Sequence, residues 1–398
     1  MSAVRITNTD FMAPPVAQTI QQRSLVIGVI FAIISAVFAF LSPDQFFRSY
    51  LLGYMAWLGL SLGCMAFLMI QHMTGGAWGM VMRRYLEAAT RTLPLMAVLF
   101  IPLILGMRHL YVWTNADAMS HDEHLKLLTH SYLTPTAFVA RGVIYFAIWM
   151  FIAYRLNKIS AEQDNPPARN LSPRFRAIAA PGLLLYALTI SFAIIDWVMS
   201  LTPPWISTIY PLIYIVGQCL SAICFVVVVE RIFVSYKPVS TYLRPKEVHD
   251  HGKFMLTLIM LWAYFSFSQL LIMWAGNLPD EITFYTRRFH GGWEFLALFL
   301  LLGHFAVPFA ILLSRPLKRD PRRLVWVAVW LMFMRYVDLY WFIEPNFHDV
   351  FYWHFLDGIV PVAIGGFWLA LFFRNVRSRP LLPLHDLHAI ELLENVHD

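Results

Sequence analysis

Ionisable side chains stand inside the most apolar stretches of this sequence. Arg108 and His109 lie near the end of one apolar run, Arg141 in the next and Asp196 in the one after. Glu294 and Asp357 open two later runs, while Arg335 and Asp338 share another, three residues apart and so on one helical face. A charge in hydrocarbon costs at least ~2.5–3.5 kcal/mol on insertion scales, so each group needs a partner or a task. Carboxylates and imidazoles at such positions can accept protons, and neighbouring guanidinium groups keep carboxylates ionised and oriented. Asp196, Asp338, Glu294 and His109 are the candidate acceptors, with Arg335, Arg108 and Arg141 beside them and His304 as a further buried base. Counted back from Glu344, Asp338 is ~9 Å and Arg335 ~14 Å deep at 1.5 Å per residue. Both should face protein or a wet cavity; the plainer reading is a neutral pair that locks two helices.

The elements that hold these residues follow from composition. Of 398 residues, 59% are hydrophobic and only 14% charged, with 32 Phe and 14 Trp, more apolar surface than a soluble domain can hide. Ten runs approach the ~20 residues that cross a bilayer: 25–41, 51–70, 93–113, 135–154, 179–200, 209–230, 254–275, 291–313, 323–343 and 355–373. Ends and alternate loops on one side carry 23 of the 30 Lys and Arg, the opposite loops 4, and Arg108, Arg141 and Arg335 lie within runs. By the positive-inside rule both termini are cytoplasmic, and the unusual charges fall mostly in the outer half. The expected protein is an all-α polytopic membrane protein: a tail over 1–24, a single ten-helix membrane domain over 25–373 and a tail over 374–398. Leu25–Leu41 has the apolarity of a signal-peptide core but no small-residue cleavage site follows, so it reads as a retained helix. Gly76–Thr92 reads as an amphipathic helix lying on the cytoplasmic surface, and Arg155–Arg176, with Asn165-Pro166-Pro167, as an exposed loop.

Several functions are disfavoured. The basic residues are a topology signal rather than a nucleic-acid surface. Cys64, Cys219 and Cys224 all fall in apolar runs, without a CxxC pair, so no metal site is expected. His290 and His304 are fourteen residues apart, as in helices holding two haems, but no second helix carries such a pair. Pro102 and Pro308 should kink their helices. An internal echo places Asp196 and Asp338 142 positions apart, each seven residues before a proline. It predicts two four-helix bundles, spans 2–5 and 6–9, with spans 1 and 10 peripheral.

Four stretches carry a resemblance: SFAIIDWVMSLTPPWISTIYPLIY (Ser191–Tyr214), WAGNLPDEITFYTRR (Trp274–Arg288), HFAVPFAILLSRPLKR (His304–Arg319) and WLMFMRYVDLYWFIEPNF (Trp330–Phe347). Over roughly residues 25 to 375 the chain resembles the ten-helix membrane subunits of bacterial alternative complex III, in the NrfD/PsrC-like group, and the ActF-like branch more than its ActC-like paralogue. Pro203-Pro204-Trp205 departs from the expected pattern between proline and tryptophan. The resemblance implies a subunit of a quinol:cytochrome c (or quinol:oxidase) oxidoreductase in the bacterial inner membrane, with no covalently bound cofactor of its own. Quinol or quinone would bind near the periplasmic side. An ActC-like paralogue, an iron–sulfur subunit and c-type cytochrome subunits would be partners and would hold the clusters and haem c; lipids surround the whole. The matching motifs also carry Trp197, Asn277–Glu281, Arg288 and Trp341, with Trp197 and Trp341 beside the candidate carboxylates.

Quinol oxidation releases two electrons and two protons, so a site needs an apolar slot, partners for two oxygens and a proton acceptor. The same buried groups also fit a proton path without quinol chemistry, or a structural role in the same complex. That path would have to cross the inner half, where His304 is the clearest ionisable group. A secondary transporter is the reading from another class; with four spans per putative repeat, it would need parallel rather than inverted repeats.

Overall fold

A computed structural model of the chain describes residues 11–115, 132–167, 170–203, 205–383 and 385–386. Among these there is no strand, and ten helices are long and apolar enough to cross a membrane. They are α1 (Val16–Leu41), α2 (Pro43–Thr74), α3 (Trp78–Leu105), α4 (Pro135–Gln163), α5 (Ser172–Leu201), α6 (Tyr210–Phe233), α7 (Pro245–Gly276), α8 (Trp293–Leu312), α9 (Pro321–Asn346) and α10 (Leu356–Arg377). This is a multi-pass membrane protein, and its exterior explains why so apolar a sequence folds. Phe40, Leu105, Trp326 and Phe295 are each more than 70% exposed, an arrangement stable only where lipid replaces water. An even number of crossings brings both ends of the chain to one end of the bundle, where the Leu381 amide donates to the Phe11 carbonyl (2.7 Å). We call this the terminal end and the other the far end.

The helices close two rings. α2 packs on α3 and α5, and α4 completes the first bundle against both; α6 packs on α7 and α9, and α8 completes the second. The rings share the α2–α6 contact, so equivalent helices occupy equivalent places and the internal echo is structural. Asp196 on α5 and Asp338 on α9 stand at the far ends of corresponding helices.

Two expectations need correction. The amphipathic stretch Gly76–Thr92 does not lie on a surface: it winds from Trp78 to Thr90 with every residue from Gly79 onward buried, as the terminal half of α3. Its charges are tolerated because Arg83, Arg84 and Glu87 pair with one another and with polar groups of α4. Nor is α10 peripheral. It packs along α2 and α3, with Trp368 donating to Ser61 Oγ (2.8 Å) and Trp57 of α2 donating to the Pro361 carbonyl (2.8 Å). Only α1 is outermost, resting on α10 through Ser24 and Gly28; a Cβ on Gly366 would come within 2.3 Å of the Gly28 Cα, so small residues set this approach.

Pro102 breaks its span as expected. It opens a short segment, Ile101–Leu105, and Pro94 opens another, Leu93–Val98, because neither ring nitrogen can donate to the helical ladder. At Pro308 the response differs: Leu301–Ala306 winds as a π-helix, which re-registers the ladder where the missing N–H would have met the His304 carbonyl. The exposed loop expected over Arg155–Arg176 is shorter: α4 continues to Gln163 with Leu156, Asn157, Ile159 and Ser160 buried, α5 begins at Ser172, and exposed connection is seen at 165–167; Lys126, Arg169 and Pro204 lie outside the described residues.

Candidate functional site

The candidate residues separate into two groups, one in each bundle. In the first, Arg141 at the far end of α4 meets Asp196 of α5 as a two-pronged pair, Nε to Oδ2 and Nη2 to Oδ1, both at 2.8 Å. Tyr145, one turn from Arg141, donates to Asp196 Oδ2 (2.8 Å), and the Arg141 guanidinium lies over the Tyr132 ring at 4.0 Å while donating to the Tyr132 carbonyl (3.0 Å). Asp196 is fully buried and both its oxygens are used. Trp197 packs among Tyr54, Phe100, Tyr145, Phe146 and Trp149. Tyr132 Oη and Trp197 Nε1 are buried without a partner, but both oxygens of the carboxylate are filled, and the Arg141–Asp196 pair joins α4 to α5.

The second bundle is built differently. Arg335 and Asp338 form their pair along α9, and Trp262 of α7 donates to Asp338 Oδ2 (3.2 Å). Asp338 Oδ1 makes no hydrogen bond although the residue is fully buried. The Arg335 guanidinium packs over the Tyr214 ring at 5.1 Å and into the space beside Gly217 of α6, where a Cβ would meet Cζ at 2.3 Å. His304, on the π-helical turn of α8, stacks on Trp262 at 4.2 Å; its nitrogens make no hydrogen bond, the Met334 carbonyl facing the ring outside bonding geometry. These groups adjoin a cavity of about 650 Å³ bordered by α6, α7, α8 and α9 and open on one side, mostly apolar and lined by Asp338, Trp341, Trp262, Ser266, Gln269 and Glu294 among others. Its volume falls in the range of small-molecule sites. Besides Asp338 Oδ1, two lining residues carry buried polar atoms without a partner, Ser266 Oγ and Trp341 Nε1. Leaving a buried polar atom unpaired costs about 1–3 kcal/mol, so three on residues bordering one cavity are candidate partners for a ligand's donors and acceptors, each atom being itself shielded from solvent in this arrangement of the helices.

Glu294 lies at the cavity's far end, half-buried, where its Oε2 accepts the Gly292 amide (2.9 Å). Arg288, in the helix Pro279–Arg288 that covers this end, is buried and donates to the carbonyls of Trp341 (3.1 Å) and Phe342 (2.8 Å), capping the last turn of α9. Burial pushes its guanidinium down to about 10, still charged at neutral pH. Arg108 and His109 do not join either group. They sit beyond α3 on a short helix, Arg108 exposed and His109 bonded to the exposed Asp44 (2.6 Å) and stacked on Phe47. α3 ends before them and the His109 side chain is 35% exposed, so His109 is a rim residue rather than a buried acceptor.

Three features escaped the sequence reading. Trp262, Ser266 and Gln269 share one face of α7 through spacings of four and three, a pattern legible only if uncharged polar residues are counted too. Glu344 is fully buried with neither carboxylate oxygen hydrogen-bonded, near the Asp357 carboxylate that Ser49 and Gln45 hold. The terminal half also holds more buried ionisable groups than His304 alone: besides Arg83, Arg84 and Glu87, His251 bridges Glu230 (3.0 Å) and the Trp78 carbonyl (2.9 Å). Among the described residues no group of three or more His, Cys, Asp or Glu could hold a metal ion, and the three cysteines are buried and unpaired. No protein-family model matches this chain, and no curated protein matches it in sequence.

Proposed function

We propose that the chain is a membrane subunit of a respiratory quinol-oxidising complex of the alternative complex III type, and that the cavity of the second bundle takes the quinol head group. The observation that carries this reading is the apolar 650 Å³ chamber with unpaired polar atoms on Asp338, Ser266 and Trp341. A quinol is a flat apolar ring with two hydroxyls. One hydroxyl would donate to Asp338 Oδ1, and the other oxygen would accept from Trp341 Nε1 or pair with Ser266. Arg335 is the ion-pair partner of Asp338, one helical turn away along α9. Phe267, Phe289, Leu298 and Leu301 line the chamber and are exposed, an apolar exit toward lipid for an isoprenoid tail. Oxidation gives two protons, each accepted in turn by Asp338 and passed on toward Glu294 at the far end, and two electrons, which would go to the iron–sulfur and c-type haem partners. On this reading the membrane is the bacterial inner membrane, both termini are cytoplasmic and the far end is periplasmic.

Purification of the native chain in mild detergent, read by visible spectrum and subunit composition, tests the assembly. Co-purifying c-type haem and an iron–sulfur subunit are expected; a colourless, solitary chain overturns the proposal and puts transport first. Within the assembled complex, Asp338→Asn should lower quinol turnover by ~10²–10⁴-fold, the range for loss of a positioned proton acceptor. A second reading, a proton path without quinol, draws support from the buried Glu230–His251 pair and the Arg83–Arg84–Glu87 group in the terminal half. It predicts that Glu230→Gln impairs proton translocation while quinol oxidation persists.

A further inference from the structure

At the terminal end a second cavity, of about 370 Å³, opens between α3 and α4 and holds three cationic side chains, Arg91, Lys158 and Arg379, without a lining carboxylate. We propose that it binds the phosphate head group of an anionic glycerophospholipid, a role independent of the quinol reading.

The charge is not neutralised from within. Among the described residues no carboxylate pairs with Lys158; the ring of Tyr154 on its own helix lies 6.0 Å from its ammonium. Arg379 reaches Glu87 at 3.8 Å, but that carboxylate is already held at 2.9 Å by Arg83 and 2.8 Å by Arg84. Arg91 spends two nitrogens on Ser378 Oγ (2.9 Å) and the Asn375 carbonyl (2.7 Å), while its Nε is buried and unpaired. Three convergent cations with an unpaired N–H are what a phosphodiester seeks.

The depth profile matches a lipid rather than a free anion. Lys158, Tyr154 and Met150 are spaced by four along α4 and so lie on one face. Lys158 is five residues inside the end of α4 at Gln163, ~7.5 Å along the axis, which is the depth of the head-group layer. Tyr154, exposed, stands a turn deeper, where amphipathic rings favour the interface. Met150, Leu93 and Pro94 continue the lining with apolar surface suited to the start of an acyl chain. A basic pocket between spanning helices, at the end richest in Lys and Arg, is where anionic lipid head groups bind.

The test uses the full chain, delipidated in detergent and titrated separately with cardiolipin, phosphatidylglycerol, phosphatidylcholine and inorganic phosphate, read by native mass spectrometry and thermal unfolding. Cardiolipin or phosphatidylglycerol should bind and raise Tm, with phosphatidylcholine and inorganic phosphate weaker by at least tenfold. Each cation removed should weaken binding about fivefold, so Lys158→Gln costs about fivefold and Lys158→Gln with Arg379→Gln about 25-fold. Lys158→Gln alone disturbs only the contact with Tyr154, so it decides the matter if the double variant folds poorly. Equal binding of phosphatidylcholine, an equal effect of inorganic phosphate alone, or unchanged anionic-lipid affinity in Lys158→Gln overturns the proposal.

Discussion

The two bundles place an aspartate at the same point of the same ring and use it in opposite ways. Asp196 receives its arginine from the neighbouring helix, α4, and a tyrosine besides, so both oxygens are filled and two helices are joined. Asp338 receives its arginine from its own helix, three residues away, and that guanidinium is drawn aside toward Gly217 and Tyr214 on α6. The difference leaves one oxygen of Asp338 unpaired on a residue that borders a cavity between α7, α8 and α9. A buried carboxylate is thus neither catalytic nor structural by its depth; the helix that supplies its partner decides.

The sharpest way to break this comparison is to remove each negative charge in turn. Asp338→Asn should reduce quinol turnover by ~10²–10⁴-fold with Tm little changed, whereas Asp196→Asn should leave turnover near wild type. Equal losses in both variants would make the two sites functionally alike. Asp196→Ala should instead destabilise the fold by about 3 kcal/mol, the lower end for a broken buried pair because the Arg141 side chain remains 20% exposed; detergent unfolding curves measure this. Gly217→Ala sharpens the contrast, since its methyl would displace the Arg335 guanidinium while touching nothing at Asp196. A cost of about 2 kcal/mol, of the size seen for overpacking, together with weaker binding of a quinone-site inhibitor, is expected; unchanged inhibitor affinity would mean that Arg335 does not shape the cavity.

The smallest effect lies in the loop that covers the far end. Burial and the nearby Arg48 hold the His348 imidazole below its ordinary value of 6.5. The unfolded chain then binds the extra proton, so stability is intact above about pH 6.5 and declines as pH falls below it. His348→Gln should flatten that decline in a pH series of unfolding midpoints. An unaltered profile would assign the acid sensitivity to another group.

Much of the scaffold was legible because its causes are local. Ten crossings follow from ten apolar runs, and the two-bundle plan was foreshadowed by the spacing of Asp196 and Asp338. Arg335 and Asp338 were recognisable as partners because three residues is a helical contact distance. Arg83, Arg84 and Glu87 were misread because an amphipathic charge pattern is the same whether water or buried partners satisfy it. Those partners, Ser160 and Gln163 on α4 and Asp386 after α10, are remote in sequence. Trp262, Ser266 and Gln269 were missed because uncharged polar residues cost little enough in a membrane helix to pass as ordinary lining.

The sequence by itself therefore determined that this is a ten-span helical membrane protein and that certain charges must be buried in it, since hydrocarbon cost depends on composition along a single helix. The tertiary structure alone decided which carboxylate is sealed and which is left with an open oxygen. Rotation and spacing of packed helices fix what a side chain meets across an interface, and those quantities are properties of the assembled rings, not of any one segment.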